Sequence, residues 1–133
     1  MKTEIFTLCD AATEQQGKMN LLGSFDHLFA KQEPIAHPGC ALAMKLRFTR
    51  IEEGTHRIKI TFGDEDGNLV MPTLEAPVMI RMAAGESTAV ANLILNIQQL
   101  TLPKFGEYSI DLAVDGRAET AFPLYVRKFE DPA

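Results

Sequence analysis

The sequence predicts an all-β protein, an antiparallel β-sandwich of eight or nine strands of immunoglobulin-like or C2-like kind, with a β-barrel as the alternative. Three observations carry this expectation. Apolar and polar residues alternate with a period of two in several segments. Turn-forming dipeptides separate those segments. No segment holds a sustained apolar stripe at helical spacing.

The first strand is expected over Lys2 to Cys9 and the second over Lys18 to Phe29, with Gly17 turning between them. In the second, the row Met19, Leu21, Gly23, Phe25, His27, Phe29 shares one parity, which points His27 toward the core or its rim. Leu42 to Thr49 alternates cleanly, with Leu42, Met44, Leu46 and Phe48 on one face and Lys45 and Arg47 on the other. Arg57 to Phe62 repeats that pattern. Leu69 to Met82 is one strand, or two if Pro72 and Pro77 interrupt it, because proline cannot donate to a sheet ladder. Thr88 to Ile97, Glu107 to Val114 and Ala118 to Arg127 complete the set. Glu52-Glu53-Gly54, Asp66-Gly67 and Asp115-Gly116 supply the turns. Helical signals are limited to single turns at Ala11 to Gln16 and Ala83 to Glu86. The predicted core is Leu21, Phe25, Leu46, Phe48, Ile58, Ile60, Phe62, Leu93, Leu95, Tyr108, Ile110, Leu112, Phe122 and Leu124.

The chain has 133 residues, the size of one domain, so a single domain over 1–133 is expected. With 13 basic and 18 acidic residues its net charge is −5, which disfavours nucleic acid and anionic membranes as partners. The start, MKTEIFTLCDAATEQQ, breaks any signal-like apolar run at Glu4 and Asp10, and no stretch approaches a membrane span. A cytoplasmic protein is expected. Cys9 and Cys40 are too few and too far apart for a disulfide framework and read as buried thiols.

The segment LTLPKFGEYSIDLAVDG resembles the late strands of immunoglobulin-like sandwiches, in which a tyrosine opens a long alternating strand after a loop. That resemblance implies that Tyr108 packs its ring inward and ties its hydroxyl across the corner. LCDAA (8–12), GKMNLLGSFDHL (17–28), DEDGN (64–68) and GEYSIDLAVDG (106–116) resemble an uncharacterised bacterial family of small domains. This second resemblance implies a fold and no chemistry.

Several constellations bear on function. FGDEDGN (62–68) does not fit an EF-hand, since counting from Asp64 places Gly67 fourth rather than sixth. A sandwich calcium site would need Asp64 and Asp66 beside Asp115 or Glu119. It would do so only if an even number of strands separates the two loops. Cys9, His27, His37 and Cys40 are the possible zinc ligands, without the second close pair that a structural site requires. Cys9 with His27 and Asp10 or Asp26 is the one nucleophile–base set to be written down, and no local signature supports it. Phosphate loops are absent. No cofactor and no catalysis are expected.

The remaining feature is a charge row. Lys45 and Arg47, and Arg57 and Lys59, have outward parity on strands that the short connection through Gly54 should make hairpin partners. Like charges on one face require relief, from Glu107 and Asp111 on a neighbouring strand or from an acidic partner. The expected function is therefore a noncatalytic module that binds another protein or itself through a sheet face or edge. Calcium or zinc binding, or a small Cys9/His27 enzyme, is the alternative. The face reading expects Arg47→Glu with Lys59→Glu to abolish partner capture.

Overall fold

A computed structural model describes residues 1–129. Within them lie nine strands: β1 (Lys2–Gln15), β2 (Lys18–Phe25), β3 (His27–Ala30), β4 (Ile35–Thr49), β5 (Gly54–Asp64), β6 (Leu74–Ile80), β7 (Thr88–Leu102), β8 (Gly106–Val114) and β9 (Arg117–Lys128). A four-stranded sheet in the order β2-β1-β4-β7 faces a five-stranded sheet in the order β3-β9-β8-β5-β6. The predicted sandwich is what forms. Among the described residues every strand pair is antiparallel except β3 with β9, which runs parallel.

The alternation seen in the sequence fills the space between the sheets. Leu42, Leu46 and Phe48 from β4, Ile60 and Phe62 from β5, Ile110 and Leu112 from β8 and Leu124 from β9 are all essentially inaccessible. Phe25, Leu93, Leu95 and Phe122 pack around them, half-buried. Leu21 departs from the expectation. It joins a separate small cluster on the other face of the first sheet, where Cys9, Ala41 and Ala43 are covered by Ala12, Met19, Leu21 and Ile94.

A bend in the β1–β2 hairpin produces that second cluster. Gly23 has φ +70°, and a Cβ there would sit 2.4 Å from Asp10 Oδ2, so only glycine fits this position opposite Asp10. Beyond the bend the hairpin folds over β4, and its turn reaches β7, where Asn92 Nδ2 donates to the Gly17 carbonyl at 3.2 Å. The turn itself takes positive φ at Gln16 and Gly17. The single helical turn expected at Ala11 to Gln16 is therefore incorrect, because pairing with β2 keeps Ala11–Gln15 extended. Ala83 to Glu86 forms only a turn, closed by Glu86 N–H to Ala83 O at 3.2 Å.

Two connections decide how the sheets relate. Asp26 alone separates β2 from β3, so the chain passes from the edge of one sheet to the edge of the other and ties the two together on that flank. On the opposite flank β7 and β6 are both edges. The other decisive connection leads from β4 to β5 through a 3-10 turn at Arg50–Glu52. Glu52 Oε1 accepts the Thr49 N–H and hydroxyl, each at 2.9 Å. The Arg50 guanidinium holds the Ala83 and Glu86 carbonyls. This corner delivers β5 to the opposite sheet.

Candidate functional site

The corner corrects the predicted charge row. β4 pairs with β1 and β7, while β5 pairs with β6 and β8, so the two strands are not hairpin partners. Lys45 and Arg47 lie in one sheet, and Arg57 and Lys59 in the other. The repulsion that motivated a binding face is not present. Arg47 forms a two-pronged ion pair with Glu4, Nε to Oε2 at 2.7 Å and Nη2 to Oε1 at 3.1 Å, and donates to Thr88 Oγ1 at 3.0 Å. That pairing lowers the Glu4 carboxyl pKa and raises that of the guanidinium. Arg57 meets Glu75 at 3.6 Å, and Lys59 stands opposite Glu75 in register. β8 does lie beside β5, as expected, but Asp111 is engaged by the Ser109 hydroxyl at 2.7 Å.

The three aspartates of the calcium alternative, Asp64, Asp66 and Asp115, do not converge. The segment 69–82 contributes one strand, β6, with Pro77 inside it on a sheet edge where the missing N–H costs least. An odd number of strands, β6, β7 and β8, therefore separates the loops. In the β5–β8 register Asp64 lies opposite Tyr108, whereas Asp115 follows Val114, which lies opposite Ile58. The loops occupy opposite ends of the sandwich, roughly 20 Å apart along the strands.

Asp64 is also committed locally. Its Oδ1 accepts the Asp66 and Asn68 N–H groups at 2.9 Å each, which lowers its pKa. FGDEDGN is thus a self-capped turn with Gly67 at φ +83°. Among the described residues no three His, Cys, Asp or Glu side chains group as metal ligands.

The other candidates are dispersed as well. Cys40 points into the main core, and burial lifts its thiol to about 11. Cys9 lies on the other side of the sheet, fully buried, its Sγ 3.6 Å from the Ala41 carbonyl. Burial raises its pKa too, opposite to what a nucleophile needs. His37 packs against Phe25. His27 is not inward: the crossing at Asp26 breaks the parity of 18–29, so Leu28 and Ala30 pack on the core while Phe29 is 62% exposed. The His27 ring sits against Phe29 and Tyr125, its Nδ1 2.6 Å from Asp26. Cys9 and His27 occupy different sheets.

A carboxylate–histidine pair that the sequence did not suggest lies in a polar hollow of about 470 Å³ beside Glu52 and Arg117. His56 Nδ1 is 2.6 Å from Asp115 Oδ2, and Nε2 meets the Glu52 carbonyl. Oxygen atoms flank both ring nitrogens and favour the protonated ring, and the Glu52 carbonyl is the largest cause of its raised pKa. The pair is a strut between the β4–β5 corner and the β8–β9 turn.

What remains is the open flank. A cleft of about 220 Å³ lies between β6 and β7, lined almost wholly by apolar side chains that include Met44, Ile60, Leu74, Val78, Leu93 and Leu95. Along it runs β7, a 15-residue edge strand, TAVANLILNIQQLTL, without a charge or a proline. Other edges carry protection: β6 has Pro77 and Glu75, β3 has four residues, and β2 has Lys18 and the Gly23 bend.

Over the described residues the chain is a nine-stranded β-sandwich, its sheets tied together along one flank by the Asp26 crossing and open along the other. The chain belongs to the family of unknown function DUF6941, which matches residues 4–127. It matches none of the curated proteins compared with it. Among the described residues no helix is long and apolar enough to cross a membrane.

Proposed function

We propose that the protein is a noncatalytic interaction module that accepts an extended strand along β7. The observation carrying this reading is the 15-residue uncharged edge beside an apolar cleft. Strand addition uses the free N–H and C=O groups of an edge for affinity and an adjoining apolar recess for alternate side chains. Natural sheets blunt edges that are to stay single, and β7 lacks the charges and prolines that do so. Buried thiols at Cys9 and Cys40 accord with a reducing, cytoplasmic setting.

The test is amide hydrogen exchange on the protein alone and on complexes recovered from native lysate. Slower exchange confined to Thr88–Gln98 and the rim of β6 is the expected result. Protection that maps instead to β3 and β9, around Phe29 and Tyr125, would overturn the edge reading.

A further inference from the structure

The centre of β7 reads Ala91-Asn92-Leu93-Ile94-Leu95-Asn96-Ile97, a palindrome in chemical type about Ile94. From this we propose that the strand received by β7 is β7 of a second copy, paired antiparallel about a two-fold axis at Ile94, an inference that rests on the edge-binding reading above. In an antiparallel pair centred on Ile94, each residue meets the one equally far on the other side. Asn92 then faces Asn96 of the second copy, Leu93 faces Leu95, and Ala91 faces Ile97. Polar positions then stand across from polar ones and aliphatic across from aliphatic, with Asn92 Nδ2 still held by the Gly17 carbonyl of its own chain.

The faces of the strand agree with this register. Leu93, Leu95 and Ile97 stand opposite Met44, Leu42 and Cys40 and belong to the inner face, whereas Asn92, Ile94 and Asn96 alternate with them. Leu93 and Leu95 also line the cleft. A second β7 places its own inner-face leucines at the mouth of that cleft, where Leu74 is 39% exposed. Each copy thereby helps close the recess of the other.

Charge complementarity selects the antiparallel arrangement. Two copies of net charge −5 repel, so a contact strand free of charge avoids placing like charges together. The first charged residues beyond β7 are Glu86 before it and Lys104 after it. In the register about Ile94, Glu86 falls opposite position 102 of the second copy, within two positions of Lys104, whose Nζ lies 3.4 Å from Asp66 of its own chain. A parallel arrangement would bring Glu86 to Glu86 and Lys104 to Lys104. A two-fold contact of this kind is isologous and closes at two chains.

The experiment is sedimentation equilibrium on the full chain with register-specific cross-linking. The wild type is expected to be a concentration-dependent dimer. Ile94→Lys and Ile94→Glu should each sediment as monomers, since each sets like charges across the axis, and their equimolar mixture should restore the dimer. Because Ile94 also packs on the second cluster, a milder pair serves as control. Under a mild oxidant, Asn92→Cys mixed with Asn96→Cys should cross-link much more than either alone.

A monomer up to about 100 μM overturns the second-copy inference. So does preferential cross-linking of Asn96→Cys to itself. If the chain is monomeric but β7 is protected in lysate complexes, the edge-binding reading stands and only its occupant changes. If β7 is unprotected in both, both fall.

Discussion

At the scale of single residues, two side chains fasten the ends of the sandwich. Tyr108 is 1% exposed, its ring edge-on to Phe62, and its hydroxyl donates to the Lys104 carbonyl at 2.6 Å while accepting the Lys104 N–H at 3.2 Å. This is the corner that the GEYSIDL segment led us to expect. Tyr108→Phe should cost about 1–2 kcal/mol, measured by urea unfolding, because it leaves a carbonyl and an N–H without their partner. His56, by contrast, was not legible. Its partners are four and 59 residues away along the chain, and no local spacing announces the meeting. Its folded-state pKa is raised above the ordinary 6.5. Its contribution to stability is therefore complete below about pH 6.5 and declines as pH rises through the higher folded-state value. Urea midpoints between pH 6 and pH 9 should fall more steeply for the wild type than for His56→Gln.

At the scale of elements, the strands were readable and their partners were not. Period-two patterning marks which residues face inward, and it located β5, β8 and the second half of β4 from residue order alone. It carries no information about which sheet receives the strand. The β4–β5 connection looked like a hairpin because Gly54 lies in a short loop. Thr49-Arg50-Ile51-Glu52 is a Ser/Thr-x-x-Glu helix-start signature, and it is the signal that would have separated a corner from a hairpin. Glu52→Ala should destabilise by about 1–2 kcal/mol through loss of that cap. Crossing at Asp26 misled in the same way, since parity was carried from β2 into β3 across a change of sheet. The bend at Asp10 and Gly23 explains why Ala41 and Ala43 are apolar on an otherwise polar parity: the folded-back hairpin covers them. Gly23→Ala should lower the thermal midpoint by several degrees, because a Cβ there meets the Asp10 carboxylate at positive φ.

At the scale of the whole molecule, the predicted binding row divides between opposite sheets, with Arg47 paired to Glu4 in one and Arg57 to Glu75 in the other. Reversal of Arg47 and Lys59 is accordingly expected to leave partner capture unchanged. Arg47→Glu would place a second carboxylate against Glu4 and lower stability at neutral pH. Loss of capture without loss of stability would return the binding site to a sheet face. The open flank was present in the sequence as an uncharged run, but it reads as an edge only once the strand order is known. A strand of the same composition in the middle of a sheet would attract no notice.

The single-residue crossing at Asp26 has a further effect on what the protein can build. A sandwich with both flanks open has two valences and can add copies without limit, as a filament does. With β2 and β3 tied together at that crossing, β7 is the one long edge strand without a charge or a proline among the described residues. When β7 pairs with β7 of a second copy, the outer edges of the joined sheet are the two β2 strands, each guarded by Lys18 and the Gly23 bend. High expression or crowding should therefore fill a population of finite pairs, without seeding fibres.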